Sequence, residues 1–171
     1  MKKSSVVKSI LELIAEAQKL ADNIGIPYIL QPGIIKEMII ADILGHDLIT
    51  DKHGADACDP VDSKIKYEYL TCNVGGSGQL DRMFKAPPKE RKESLSRITR
   101  NKAIYLAVFD KNSLDVKAIY EIQPKVLLKE AERKLDNSKN NISHVGFSEN
   151  WAKKHGTVVF PKEEKKVRTD T

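Results

Sequence analysis

A chain of 171 residues, 40% hydrophobic and 31% charged, is long enough for one core-bearing domain, and none of its apolar runs approaches the roughly eighteen residues of a membrane span. The start, Met1-Lys-Lys-Ser-Ser5, lacks the apolar core of a secretory signal, so a cytoplasmic protein with no membrane attachment is expected. The net charge of +5 is mild but concentrated: Arg82, Lys85, Lys89, Arg91, Lys92, Arg97, Arg100 and Lys102 face only Glu90 and Glu93, an excess that suits a polyanionic partner and equally fits a solvated helix face.

Ser4 or Ser5 can cap a first helix in which Val7, Ile10, Leu11, Ile14, Ala17 and Ala21 recur at three- and four-residue steps, ending near Gly25. Its apolar stripe has no obvious cover within so small a domain. A second helix follows Pro32-Gly33 and carries Ile34, Ile35, Met38, Ile39 and Ile43 to a stop at Gly45. Short extended pieces at 48–50 and 55–58 precede a strand over 65–71, with Asp59-Pro-Val-Asp-Ser turning the chain between them. Gly75-Gly-Ser-Gly78 reads as a loop that supplies a bend; it is no nucleotide-binding loop, because no Gly-Lys-Ser/Thr follows. Pro87-Pro88 opens a basic helix to about Asn101. Segments 103–109 and 116–122 make a hairpin through Asp-Lys-Asn-Ser, and Pro124 starts a helix to about Leu135. The polar stretch 136–141 leads to Ile142-Ser-His-Val-Gly-Phe147, a short helix around Trp151, and Thr157-Val-Val-Phe160. Residues 161–171 are charged and apolar-poor, a disordered tail beyond a single domain of 1–160. Helices followed by strands with a helix between them predict an α+β (α/β) core, a mixed central sheet flanked by helices.

Cys58 and Cys72 lie far apart, and with His46 and His53 they make no zinc spacing, so reduced buried thiols are expected. Tyr67, Tyr69, Tyr105, Tyr120 and Trp151 occur within apolar patterns and read as core.

The most informative stretch is 54–71, which holds two acids in segments able to cross a sheet. Alternate side chains of a strand share a face, so Glu68 stands with Lys66, Leu70 and Cys72. If Asp56 on the adjacent strand faces the same way, the two carboxylates can share one hard cation; magnesium keeps several waters and takes only one or two carboxylates. A bound water then becomes a nucleophile toward a phosphodiester. On spacing alone, the pair also fits two solvent-exposed hairpin acids.

Asp56-Ala-Cys-Asp59 followed by Tyr67-Glu68 resembles the active-site hairpin of the PvuII-like type II restriction endonucleases, of the PD-(D/E)XK nuclease class. The similarity continues collinearly through 96–109 and through Lys117 to Leu127, with Asn140-Asn141 and His155-Gly-Thr157 further on; it covers roughly 30–160. It implies a restriction-endonuclease-like fold and a homodimer that cuts both strands of a short palindromic DNA site with Mg2+, in the company of a cognate DNA methyltransferase. It also implies that Asp56 and Glu68 bind the metal. The class places a lysine two residues after the second acid, where this chain has Leu70. Lys66, on the same expected face, is the favoured substitute; Lys64, Lys85 or an arginine from elsewhere is the alternative, and failing these the site works without that help or is crippled. Asp62-Ser-Lys64 lies too close to Asp56 for a second strand and reads as a turn. Glu37 on the second helix suits the additional acid of the class, although the relative's aspartate falls where Pro32 stands here; an ordinary surface glutamate fits equally.

Asn140 and Asn141 match an Asn-Asn pair that reads bases in the relative, and they fit turn chemistry as well; Ser143 and His144 are similarly suited to base edges. Gln79, Asp81 and Arg82 stand near the relative's recognition histidines, so a different target is expected. Lys85, Lys89, Arg97 and Arg100 are expected on DNA, the basic helix meeting phosphates, which position without specifying. The rival readings are a non-catalytic DNA-binding protein on the same fold, which the absent lysine permits, and a structure-specific or repair nuclease.

Overall fold

The computed structural model describes residues 3–31, 33–50 and 54–161, so Pro32, His53 and the charged stretch from 162 onward lie outside the described residues. Its elements are α1 (Lys3–Asn23), α2 (Ile34–Leu44), β1 (Asp47–Leu48), β2 (Ala57–Cys58), β3 (Lys66–Asn73), β4 (Ser77–Phe84), α3 (Pro88–Thr99), β5 (Ala103–Phe109), β6 (Val116–Ile122), α4 (Pro124–Asn137), β7 (Ile142–Ser148), α5 (Glu149–His155) and β8 (Thr157–Phe160). Prolines that need no N–H open α3 and α4, Gly45 closes α2 in the left-handed conformation, and Ser148 caps α5 by accepting from Trp151 N–H.

Six strands form a mixed sheet in the order β1-β2-β3-β5-β6-β8. Only β3 and β5 pair in parallel, with Glu68 opposite Ile104 and Leu70 opposite Leu106; the other pairs are antiparallel. A parallel pair needs a crossover, and α3 lies in that connection. Every residue of β5 is buried, as its unbroken apolar run Ala-Ile-Tyr-Leu-Ala-Val-Phe requires. The period of two along β3 divides its side chains between two cores. Tyr67 and Tyr69 pack with Ile40, Ala57, Tyr105 and Phe109 on the α2 side. Leu70 and Cys72 pack with Leu80, Ile98, Leu106 and Leu127 on the side of α3 and α4. The expected mixed sheet flanked by helices is thus observed, and Tyr67, Tyr69, Tyr105 and Tyr120 are core residues. Cys58 and Cys72 are free, buried thiols, and burial pushes Cys72 up to about 11.

One element departs from the sequence reading. The loop expected at Gly75–Gly78 is a turn only to Gly76, where Gly75 takes a positive φ of 76°; Ser77 and Gly78 begin β4, which pairs with β7 in a separate two-stranded sheet. Gly, Gln, Asp and Arg disguise β4 as loop. Its apolar positions alternate only as far as Leu80, because an extra residue between Leu80 and Met83 bulges the strand and puts Arg82 at φ 52°. Gly78 is required by close approach: a β-carbon there would stand 2.8 Å from that of Leu70. Gly78→Ala is therefore expected to lower the urea midpoint with little change in slope, by about 1–3 kcal/mol of stability.

Candidate active site

Asp56 lies just ahead of β2 and is tied to β3 at both ends of its own residue. Its N–H donates to the Tyr67 carbonyl at 3.1 Å, and its Oδ2 accepts from Tyr69 N–H at 2.6 Å. The hairpin is set by Asp59, whose Oδ1 accepts from the N–H groups of Val61 and Asp62; Asp62 in turn accepts from Lys64 N–H, so Asp62-Ser-Lys64 is the turn that was expected. Behind Tyr69, its hydroxyl meets His46 Nδ1 at 2.9 Å, and the His46 ring stacks on Tyr67 at 4.0 Å between centroids. Burial lowers His46 from its ordinary value, against the pull of Asp59. The hydroxyl contact and the stacking fix the strand that holds Asp56.

Glu68, only 8% exposed, projects to the opposite side of β3 from Tyr67 and Tyr69. Burial raises Asp56 and Glu68 above the usual carboxylate range, and Asp56 raises Glu68 further; the Tyr69 N–H and the arginines Arg100 and Arg97 oppose the rise. Glu37 on α2 joins this group. Burial first and the charge of Asp56 second push it up to about 7. A cavity of about 230 Å³ is lined by Glu37, Asp56 and Gly54 among others, and a larger one of about 780 Å³ is lined by Gly54, Arg82, Arg97 and Arg100 among others, so Gly54 borders both.

The spacing of the acids along the hairpin thus gives two carboxylates that feel each other's charge, with a third nearby. The cations beside them are those of α3 and its cap. Arg100 Nη2 donates to the Gly54 carbonyl at 2.6 Å and lies 3.5 Å from Glu68 Oε2; Arg97 Nη1 donates to the Asp81 carbonyl at 2.8 Å. Lys66 is on β3, its carbonyl bonded by Lys102 N–H, and among the described residues it makes no ion pair with either acid. Lys85 is engaged elsewhere: its Nζ donates to the carbonyls of Asp136 and Ser138, tying the end of β4 to the end of α4. The nearness of Arg97 and Arg100 to both acids was not foreseen from sequence, although their i, i+3 spacing on a helix placed them on one face.

Metal chemistry can be tested against this donor set. Two buried carboxylates offer hard oxygens whose charge is only partly compensated, which is what a divalent cation relieves. Among the described residues no group of three or more His, Cys, Asp or Glu side chains converges, so the arrangement suits an ion that keeps several waters rather than a protein cage.

The raised carboxylates have a consequence for the protein without metal. Between the unfolded values near 4 and the folded value of about 7 for Glu37, the native state holds more protons than the unfolded chain, so stability falls as pH rises through that window. Thermal melts in chelator are expected to give a lower midpoint at pH 8 than at pH 5.5, and Glu37→Gln is expected to flatten the difference. Equal slopes for variant and wild type would refute the assignment of Glu37.

The remaining candidates gather on the two-stranded sheet. Gln79, Asp81 and Arg82 are exposed on β4, and His144 is exposed on β7 with its Nδ1 2.7 Å from Asp81 Oδ1. Ser143 on β7 is half-buried, its hydroxyl 2.7 Å from that of Ser138; Asn140 and Asn141 are exposed where β7 begins, the Asn141 carbonyl accepting from Lys85 N–H. Leu80, Met83, Val145 and Phe147 are buried beneath them.

Residues 2–160 match the family model of the restriction endonuclease PvuII. Among curated proteins no match to the chain is found.

Proposed function

The chain belongs to the PvuII restriction endonuclease family, type II site-specific deoxyribonucleases acting on double-stranded DNA, and from that premise we propose that it makes Mg2+-dependent double-strand cuts at a short palindromic site, leaving 5′-phosphate and 3′-hydroxyl ends. The observation that carries the proposal is the buried pair Asp56 and Glu68, held at one edge of β3 beside two arginines. Those carboxylates would hold the ion, which when bound lowers the pKa of a coordinated water and neutralises charge on the phosphate. The chain's own residues prepare the place. Tyr69 N–H orients the Asp56 carboxylate, burial keeps bulk water from the acids, and the exposed face of β4 and β7 offers Gln79, Asp81, Arg82 and His144 to base edges, as two-stranded ribbons do in a major groove. Asn140, Asn141 and Ser143 extend that face.

A palindromic target calls for a twofold assembly, each copy reading one half. The exposed side of α1 supports one: Val7, Ile10, Leu11, Leu13 and Leu20 are uncovered, and a cavity of about 250 Å³ is lined by apolar residues of the helix together with Ile29, Leu30 and Ile35. Such an enzyme works in the cytoplasm beside a methyltransferase that protects the host's own sites. Among the described residues no helix is long and apolar enough to cross a membrane.

Digestion of plasmid and phage DNA with Mg2+ tests the proposal. Discrete, reproducible fragments are the expected result. A smear or nicking supports a structure-specific nuclease instead, and retained binding without cutting supports a non-catalytic DNA-binding protein.

A further inference from the structure

The position at which the nuclease class carries its lysine is closed in this protein. Leu70 is 3% exposed, sits in the core with Leu80, Met83 and Ile98, and is overlaid by Gly78 of β4 so closely that even a β-carbon on that glycine would clash with it. A lysine ammonium at residue 70 would have to be buried among these side chains, where its charge is heavily disfavoured. The same core holds Ile98 of α3, with Arg97 next to it in the chain and Arg100 at the helix C-cap. Along α3, residues 90, 93, 97 and 100 succeed one another at helical spacing and line one groove of about 780 Å³, acidic at the helix start and basic at its end. The basic end is the one beside Glu68.

Resting on the nuclease reading above, we propose that Arg100 is the catalytic cation of this site, its guanidinium binding a non-bridging oxygen of the scissile phosphate where related nucleases use lysine. The Gly54 carbonyl at 2.6 Å anchors one amino group of Arg100 and Glu68 lies 3.5 Å from the same atom; both contacts use Nη2, and among the described residues Nε and Nη1 have no hydrogen-bond partner. Each of those donors can give a single charge-assisted hydrogen bond to a phosphate oxygen. Lys66 carries its charge on the β3 strand, and among the described residues it makes no ion pair with either acid, so it lacks the anchoring that Arg100 shows.

The substitution alters the chemistry in a defined way. Hydrolysis joins a water oxygen to phosphorus as the bond from phosphorus to the 3′ oxygen opens; the water's proton leaves to solvent, and the 3′ oxygen takes up one proton to become the hydroxyl. Arginine stays protonated throughout, so it takes no part in removing the water's proton. Its contribution is to stabilise the charge that grows on the phosphoryl oxygens in the transition state, and a donor of that kind is worth roughly 10²–10³-fold in rate.

The test is single-turnover cleavage of a DNA fragment cut by the wild-type protein, with Mg2+ saturating, together with affinity for the same fragment in Ca2+. Arg100→Met is expected to lose roughly 10²–10³-fold in rate with affinity changed by less than about fivefold, and Arg100→Lys to recover part of the rate. Should Arg100→Met melt well below the wild type, Arg100→Gln decides: slower cutting at unchanged affinity supports the assignment and wild-type cutting overturns it. Arg100→Met cutting at the wild-type rate also overturns it, as does a loss explained wholly by weaker binding. Lys66→Met losing roughly 10²–10³-fold while Arg100→Met cuts at the wild-type rate transfers the role to Lys66. A wild-type protein that cuts no DNA at all removes the nuclease reading itself, an outcome distinct from each of these.

Discussion

Glu68→Gln is expected to abolish Mg2+-dependent cleavage while making the metal-free protein more stable. The carboxylate is buried beside that of Asp56, and both are raised by that environment, so at pH 8 the native state carries charges it does not favour. Glutamine keeps the shape and still accepts from Arg100 but removes one of the charges. A gain on the order of 1–2 kcal/mol is expected above pH 7, which for a domain of this size is a rise of about 2–4 °C in midpoint per kcal/mol, and it should vanish near pH 4, where the acid is protonated in both states. The same change removes one of the two ligands proposed for the ion. Loss of several kcal/mol of transition-state stabilisation corresponds to roughly 10³-fold or more in rate. Asp56→Asn is expected to match it in rate but to gain less in stability, because the Tyr69 N–H at 2.6 Å compensates that carboxylate in the native state. Opposite signs for stability and activity in one variant separate a functional acid from a structural one: a Glu68→Gln protein that is both inactive and less stable at pH 8 would mark Glu68 as part of the scaffold.

The second large effect concerns α1. Ile10→Glu combined with Leu13→Glu places two charges on a helix face where these side chains are 50% and 71% exposed. In an isolated chain such surface changes cost little, typically within about 0.5 kcal/mol. In a dimer sealed by that face they bury unpaired carboxylates, and association is expected to fail. Sedimentation should then give a single copy of 19.2 kDa in place of twice that mass. Cutting at the palindromic site should fall by roughly 10²-fold or more, since each half-site would be bound without the other. A variant that remains dimeric shows that another surface joins the copies.

Much of this protein could be read from its sequence. The helices opened by Pro88 and Pro124, the stop at Gly45, the β5–β6 hairpin and the buried run of β5 follow local rules, and the structure contains each of them. Asp56 and Glu68 were legible as a pair because the period of two along β3 and a turn built on Asp59 are local as well. What was hidden depends on distant packing. The β4 strand escaped because glycine, a positive-φ arginine and a bulge interrupt its alternation, and it becomes a strand only by pairing with β7, more than fifty residues later. The closeness of Arg100 to Glu68 likewise arises from the way α3 crosses the sheet between β3 and β5. In the linear chain those arginines look like any others in a basic run, and nothing in their spacing distinguishes one near the acids from one that meets a phosphate along the duplex.

Among the described residues the β4–β7 ribbon shares no ladder pairing with the main sheet, and it is held to the core through Leu80, Met83, Val145 and Phe147 while Gln79, Asp81, Arg82 and His144 face outward. Outward side chains on such a ribbon can be exchanged at little cost to folding. Drift in that handful of residues is therefore nearly neutral for the scaffold, and, on the proposal that they read bases, descendants of this chain can change their DNA target while the buried acids and the sheet beneath them stay as they are.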